Sequence, residues 1–408
     1  KSTISELAIG DKVNIERSVQ LGSRIDGHMV QGHVDQIGEC IDIIEESGYS
    51  DLSNIELSKL LAGKMSQVRP YINYNSHGFK GKSTPSDLET TFQLLYTKFM
   101  HPNYDIESFT NLINRYKVFV ENRNTNPDVI WGSHVDKVNY SDHYSKQQWD
   151  AELLESVNHM KSYRIYKELF SAPKNFHFVF VGNINIDIMK SMIVKYLASI
   201  PNVNNSKTRY KDMGVRFPMT NKDEVVIAGR EDKSKTKITF YQPTPKNNFD
   251  EQYNIMATCD ILQVRLRKKL REEMSSTYHV SVGSYNMQPS SNYSTTYISF
   301  DSSPENVDDM ILAVFDEISM MKNELSSDDE VQNVIKKYQN SRETNIKKNS
   351  YWLSRLVGCY KNSITPNDVL DRDVRISNFN ASKAKKVMRK YFPENRRTII
   401  SLFPEKVR

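Results

Sequence analysis

The sequence predicts an α+β protein of two domains, each a mainly antiparallel sheet covered by helices. From residue 43 onward, segments with a helical apolar period alternate with β-rich runs. The chain has 408 residues, more than the roughly 250 to 300 at which single cores stop growing, so we expect at least two cores. With 38% hydrophobic and 26% charged residues, the composition is that of a folded chain.

The composition also argues against several classes of protein. No apolar run approaches the roughly 20 residues of a membrane span, and the opening "KSTISELAIGDKVNIERS" lacks the apolar core of a signal peptide. Cys40, Cys259 and Cys359 are far apart and odd in number, so neither a disulfide framework nor a CxxC metal clamp is expected. The net charge of +5 is spread over lysines mixed with acidic and apolar residues, which is typical of solvated helix faces and not of a nucleic-acid site.

The first predicted domain covers residues 42–204 and is mostly helical. Ser86 and Glu89 have the spacing of a capping box, and apolar residues then recur on one helical face from Leu88 to Phe99. A second helix follows, and a third is expected over residues 149–170. Residues 175–201 predict an apolar strand, a Gly-Asn turn, a helix and a proline stop, which close the domain.

Residues 205–222 are polar and show no sustained period, so they predict a linker to a second domain at residues 223–408. That domain opens with two strands and a long helix from about Asp250 to Glu273, followed by two alternating strands. A helix then starts at Pro304, and Ser327 with Glu330 has the spacing of a capping box for the next. A last helix leads into the strand "RTIISLF".

Five segments carry a resemblance to a known family. They are "ELSKLLAGK", "SDLETTFQLLYTKF", "FVFVGNINIDIMKSMIVKYLASIP", "LQVRLRKKLREEMSSTYHVSV" and "SPENVDDMI". In this order they resemble the carboxy-terminal half of bacterial zinc proteases of the insulinase/pitrilysin family, over about residues 43–405. The resemblance implies two insulinase-like domains that wall a peptide chamber, with zinc held by the HxxEH motif of a separate amino-terminal half.

The resemblance also implies two substrate-binding residues. In that family an Arg and a Tyr seven residues later reach into the active site, and Arg271 and Tyr278 in "REEMSSTY" match them. A phenol and a guanidinium can donate to a developing oxyanion or to the substrate backbone. The spacing alone is a weak pattern, so a surface arginine and a half-buried strand tyrosine are the competing interpretation.

The position of the zinc motif is degenerate here. Where an active half has His-x-x-Glu-His, this chain has Asp42, Ile43, Ile44, Glu45 and Glu46. Carboxylates without imidazole or thiolate neighbours are poor zinc ligands. We therefore expect no metal and no catalytic residue in this chain, inactivity when it is alone, and Glu45 and Glu46 at an exposed helix end. Zinc is expected in the partner half.

A second resemblance concerns residues 1–41. "GDKVNIER" followed by "DGHMVQGHVD" resembles the late part of the first β-barrel of riboflavin synthase. The fragment, either a gene fusion or an artefact, lacks the rest of both barrels, so a partial barrel that packs poorly on the other domains is expected. His28 and His33, which lie close to Asp35 and Cys40, then reflect two unrelated neighbours and not a metal site.

One more polar cluster, His134, Asp136, Asp142 and His143, is expected to form solvated turns and not a metal site. The sequence as a whole is interpreted as the non-catalytic half of an insulinase-type peptidase, whose partners are a zinc-bearing half or subunit and a peptide. The resemblance suggests a bacterial periplasm or cell envelope. Two alternatives stay open: an inactive interaction module of the same fold, and a riboflavin synthase fragment.

Overall fold

The computed structural model describes residues 25–30, 39–73, 76–202, 214–243, 249–273, 279–286, 293–362, 364–370 and 372–405. The chain forms two compact units. Unit 1 comprises Lys1–Val118, Asp150–Lys211 and Arg342–Leu370, and unit 2 comprises Phe119–Trp149, Asp212–Ser341 and Asp371–Arg408. No helix among the described residues has the length and apolar character that crossing a membrane requires.

Strands and helices are numbered in chain order. The strands are β1 (Ile25–Val30), β2 (Ser66–Asn73), β3 (Ser76–Ser83), β4 (His177–Val181), β5 (Lys222–Ile227), β6 (Ser234–Pro243), β7 (Val280–Asn286), β8 (Tyr293–Ser302) and β9 (Arg397–Phe403). The helices are α1 (Glu39–Ser47), α2 (Asn54–Leu60), α3 (Leu88–Met100), α4 (Ile106–Arg123), α5 (Pro127–Asn139), α6 (Ala151–Glu155), α7 (His159–Leu169), α8 (Ile186–Met192), α9 (Phe249–Arg267), α10 (Val307–Asn323), α11 (Asp328–Asn345), α12 (Asn349–Lys361), α13 (Arg372–Ser377) and α14 (Ala381–Tyr391).

The sheet of unit 1 is antiparallel, with strand order β2-β3-β1-β4. One face carries an apolar core with α1, α3 and α7, which includes Ile44, Phe92 and Tyr166. Val179 and Val181 of β4 point to the other face, where Leu353 and Leu356 of α12 cover them. Both faces of the sheet are thus buried.

The sheet of unit 2 has the order β5-β9-β6-β8-β7, in which only β5 and β9 run parallel among the described strand pairs. The larger core lies under α9, α10 and α14. On the opposite face Val135 of α5 packs against Val226 and Leu402, and the Trp131 indole donates to the carbonyl of Ile400 at 3.2 Å. These observations confirm the predicted α+β class with mainly antiparallel sheets.

The two units exchange segments along the chain. Residues 119–149, which carry α5, belong to unit 2, and residues 342–370, which carry α12, belong to unit 1. The sequence instead predicts consecutive domains separated by a linker. Sequence periodicity marks α5 and α12 as amphipathic but carries no information on which sheet each covers. Val215 and Phe217 of the expected linker are buried in unit 2.

The partial barrel expected at the amino terminus is not confirmed. Its described stretch is β1, which lies between β3 and β4, with Gly27 opposite both Gly81 and Phe180. Backbone hydrogen bonds hold a strand in a sheet, so a segment whose sequence resembles another protein can still serve as an inner strand. The expectation that the segment lacks partner strands is wrong for residues 25–30; residues 1–24 and 31–38 lie outside the described residues.

One of the two predicted capping boxes is present in the structure, and one predicted helix is divided in two. The Ser327–Glu330 capping box is confirmed, since Glu330 N donates to Ser327 Oγ at 3.3 Å and Ser327 N to Glu330 Oε2 at 2.8 Å. The Ser86–Glu89 box is wrong, because the turn Pro85–Asp87 precedes α3 and Glu89 accepts from Lys195 and Tyr196 instead. The expected helix over residues 149–170 is two helices, since Asn158 caps α7 through Lys161 N.

Candidate functional site

Helix α1 holds the three acidic residues that the sequence resemblance aligns with a zinc motif. Ile43 and Ile44 are 1% and 0% exposed, so they fix the helix in the core of unit 1. Gly48, with a φ of 82°, ends the helix, and its amide donates to the carbonyl of Ile44 at 3.2 Å. The orientation of Asp42, Glu45 and Glu46 is therefore set by their buried neighbours.

Glu45 is neutralised by a buried lysine. The ammonium group of Lys98 on α3, with 5% of its side chain exposed, donates to Glu45 Oε1 and lies 4.1 Å from the centroid of the Tyr49 ring. The Tyr49 hydroxyl donates to the same oxygen at 2.6 Å. Burial lowers the pKa of the Lys98 ammonium, while Glu45 acts in the opposite direction. Burial also raises the pKa of Tyr49.

The other two acidic positions have partners on α4. The Tyr116 hydroxyl donates to Asp42 Oδ2, and Arg115 forms a 2.7 Å ion pair with Glu46 Oε1. Burial raises the pKa of Tyr116, and its bond to Asp42 adds to the increase. Glu45 and Glu46 each have 29% of the side chain exposed. Their expected place at an exposed helix end is wrong, because α3 and α4 cover them with basic side chains.

This arrangement does not fit a zinc ion. Zinc in proteins is bound by thiolate, imidazole and carboxylate ligands, mostly with at least one of the first two. The only ligands that Asp42, Glu45 and Glu46 offer are carboxylates. The Lys98 ammonium group already binds Glu45, where a metal cation would have to bind. No group of three potential ligands is found among the residues that the structure describes.

Sequence reasoning missed Lys98, Arg115 and Tyr116. A signal existed for Lys98, which lies three and four residues after Leu95 and Leu94 on the apolar stripe of α3, where a lysine is unexpected. Arg115 and Tyr116 lie on a helix whose polar face carries other charged residues. Nothing in the local pattern of α4 distinguishes them.

Arg271 lies in a wide helical turn, Lys268–Glu273, that continues α9. Leu266 and Leu270 are fully buried on its inner side, and Arg271 is exposed. Such π-type turns recur at functional sites. Tyr278 lies outside the described residues, so the predicted pair is located only at Arg271.

The cluster around His134 lies only partly in turns: Asp142 is in an exposed turn as expected, whereas two of the four residues belong to a helix. His134 and Asp136 belong to α5, and His134 Nε2 lies 2.7 Å from Glu224 on β5. Burial raises the pKa of Asp136, and His143 accepts from Ser145 N at 3.2 Å. These side chains attach α5 and the turn after it within unit 2.

A comparison with family models finds a match to part of the chain. Residues 156–338 match the model described as the peptidase M16 inactive domain. Over this stretch, somewhat less than half of the chain, the sequence is similar to an M16 inactive domain. The match runs from unit 1 into unit 2 along the sequence, and it supports the resemblance to insulinase-type proteases.

Solved structures with similar folds include two that the chain covers almost completely. The periplasmic protease PqqL from Escherichia coli matches with a TM-score of 0.82 and 15% identity, over 95% of this chain and 44% of that one. A peptidase M16 inactive domain from Pseudomonas fluorescens matches with a TM-score of 0.80 and 14% identity, over 97% of this chain and 95% of that one. At these identities the likeness shows the fold.

Curated proteins similar to this chain include a PQQL-like zinc protease from Arabidopsis thaliana. It is 23% identical over 297 residues, which are 70% of this chain and 31% of the relative. The chain thus spans about a third of that protein. A separate match joins the amino-terminal segment to riboflavin synthase from Mycobacterium tuberculosis, 54% identical over 41 residues, which are 10% of this chain and 20% of that one.

Proposed function

We propose that the chain is the non-catalytic carboxy-terminal half of an insulinase-type zinc metallopeptidase. In this role it walls the peptide chamber and positions the substrate, while a separate half with an HxxEH motif supplies the zinc and the general base. The match to an inactive M16 domain and the relation to PqqL-like zinc proteases support the proposal.

The observation that carries the proposal is the replacement of a metal site by ion pairs. The fold of an M16 half is present, yet each acidic side chain at the motif position has a hydrogen-bonding or basic partner: Tyr116 for Asp42, Lys98 for Glu45 and Arg115 for Glu46. The Glu45 oxygen already accepts from the Lys98 ammonium and the Tyr49 hydroxyl, so it is not free to orient a water molecule. Hydrolysis therefore has to come from another half.

Substrate positioning is assigned to Arg271 and Tyr278. The exposed guanidinium of Arg271 stands on a turn fixed by buried Leu270, so its backbone is held while its side chain is accessible. A planar guanidinium can donate to two acceptors at once, as a peptide backbone or a tetrahedral oxyanion requires. The Tyr278 hydroxyl would add one donor to the same oxyanion.

Two measurements test the proposal. Elemental analysis of the dialysed chain should find no stoichiometric zinc; one tightly held zinc whose chelation abolishes peptidase activity would contradict it. The chain should then be mixed with the HxxEH-bearing half of a PqqL-like protease. We expect peptide cleavage by the pair and none by this chain alone. Stable association without any gain in cleavage would instead favour the interaction module.

Two further expectations belong to this proposal. We place the native protein in a bacterial periplasm or cell envelope, which is supported by the periplasmic location of the structurally similar Escherichia coli protease. We also propose that residues 1–41 are a riboflavin-synthase-like segment joined to the M16 domains at residue 42, with family domains at 42–204 and 223–408. Fractionation of the source cells and sequencing of the transcript across the junction test these expectations.

A further inference from the structure

A cavity of about 430 Å³ opens beside the degenerate motif in unit 1. Strands β2 and β3 form one side of it, and α1, α2 and α3 contribute the remainder of its wall. Four basic side chains line it, namely Lys64, Arg69, Lys82 and Lys98, and Glu45 is the only acidic residue among the lining side chains. The cavity is therefore strongly basic.

The one acidic lining residue is already neutralised. Glu45 accepts from both Lys98 and Tyr49, so its charge is shared with groups that hold it in place. Lys64 lies 3.6 Å from Asp87, a distance at the long end for an ion pair. No ion pair joins Arg69 or Lys82 to a carboxylate within the part of the chain that the structure describes.

The strand register brings like charges together in the two strands beside this cavity. Arg69 on β2 lies directly opposite Lys80 on β3, and Lys82 lies diagonally across from Arg69, opposite Gln67. Like charges in such cross-strand positions destabilise a sheet. Arg69 and Lys82 line the same cavity as the buried Lys98 ammonium group. A counter-anion bound there would reduce the repulsion between these positive charges.

The rest of the wall suits a small ligand. Ser58, Asn54 and Thr84 offer hydroxyl and amide groups, and Leu57, Leu61 and Leu94 offer apolar surface. A mixture of a few convergent polar groups with apolar surface is typical of ligand cavities of this size. A monoanion would neutralise only one of the exposed cations, so the charge count favours a ligand with two or more negative charges.

We propose that this cavity of unit 1 binds a small polyanion, through Arg69, Lys82 and the floor formed by Lys98. Phosphoryl and carboxylate groups share the required chemistry, because both accept several charge-assisted hydrogen bonds from Lys and Arg. The site is independent of the proposed peptidase role, since Arg271 belongs to unit 2. Its failure would leave that role untouched.

Titration calorimetry of the full chain with tripolyphosphate, and separately with citrate, tests the proposal. We expect saturable one-to-one binding of at least one of them, much weaker binding of inorganic phosphate, and an affinity that decreases as salt increases. If tripolyphosphate binds more tightly than citrate, the ligand is a phosphoryl compound; the reverse order indicates a polycarboxylate. No saturable binding of either up to millimolar concentration would overturn the proposal.

Variants locate the binding in the cavity. Arg69→Gln and Lys82→Gln should each weaken binding about tenfold or more, because each removes a hydrogen bond between charged groups. Lys161→Gln on α7 is the matched control: it removes the same charge from an exposed position of unit 1 that does not line the cavity. Both cavity variants change exposed side chains and relieve like-charge repulsion, so neither should lower the melting temperature. Equal weakening by all three variants would mean a nonspecific charge effect and would overturn the site.

Discussion

The ammonium group of Lys98 on α3 donates to the carboxylate of Glu45 on α1, 53 positions earlier in the chain. The lysine is almost fully buried, and the glutamate is partly exposed. The sequence resemblance aligns Glu45 with the motif glutamate that activates water in a zinc-bearing half. In this chain the same position joins two helices of unit 1 and carries a structural charge pair.

Replacing Lys98 by Met should destabilise the protein by about 1 to 3 kcal/mol, because Glu45 is then left partly buried without its cation. The double variant Lys98→Met/Glu45→Gln should recover a large part of that loss, since the amide still accepts from Tyr49. Urea unfolding of wild type, both single variants and the double variant gives the coupling energy. A double variant no more stable than Lys98→Met would show that the pair is not coupled.

Gly48 ends α1 with a φ of 82°, and a Cβ there would lie 2.1 Å from the carbonyl oxygen of Leu52. Gly48→Ala should therefore cost about 2 kcal/mol or more, from the unfavourable backbone conformation together with the clash. Gly63 is a matched control, since its φ is 79° but a Cβ at that residue would meet no atom of the described chain within 4 Å. Gly63→Ala should cost only about 1 kcal/mol. Equal losses in urea unfolding would exclude the clash as a cause.

His159 should make stability depend on pH. Its ring stacks between Tyr104 and Phe109, with centroids 4.0 Å and 4.8 Å away, and neither ring nitrogen has a hydrogen-bond partner within the described residues. Burial lowers the pKa of His159, so the unfolded chain takes up the proton first. Its contribution is complete above the ordinary pKa of about 6.5 and is lost as the pH falls from there toward the folded-state pKa.

The measurement is the free energy of unfolding between pH 5 and 8 for wild type and for His159→Phe, which keeps the aromatic stack. The variant should lose less stability than wild type on acidification. Identical slopes for the two proteins would remove His159 as a source of the dependence.

In the reconstituted pair, Tyr278→Phe should lower turnover by about 100 to 1,000 fold, the usual effect of losing one oxyanion donor. Arg271→Lys should also impair turnover, because a lysine lacks the planar fork. The melting temperature should not change for Arg271→Lys, since its side chain is exposed. Arg267→Lys, one turn earlier and also exposed, is the control. Near wild-type turnover in both variants would make these residues ordinary scaffold.

Strand β1 should be essential for folding, contrary to the expectation from sequence that the amino-terminal segment packs poorly on the other domains. Met29→Pro removes a backbone donor from a strand that pairs on both sides, opposite Phe178 in β4, so it should destabilise by about 3 kcal/mol or more. Met29→Thr retains the donor and favours a strand, so it should be tolerated far better. Comparable melting temperatures for the two variants would mean that β1 contributes little to the sheet.

The sequence predicted the α+β class, the two sheets and the long helix before Arg271, because apolar periodicity reports local structure and burial directly. It missed the partners of Asp42, Glu45 and Glu46, since Lys98, Arg115 and Tyr116 are 53 to 74 positions away from them in the chain. Pairings over such separations leave no local period. The place of β1 was missed for a related reason: its resemblance to a barrel protein says nothing about which backbone it pairs with here.

The exchange of α5 and α12 between the units has a consequence for synthesis. The described strands of unit 1 have all been made once β4 is synthesised, but α12, which covers their second face, emerges only after residues 212–341 of unit 2. Val179 and Val181 therefore stay uncovered on the ribosome while the intervening strands appear, and an apolar sheet face in that state is prone to aggregate. We therefore expect the chain to depend on chaperones during translation. We also expect that a chain cut between residues 203 and 213 yields neither part as a soluble product.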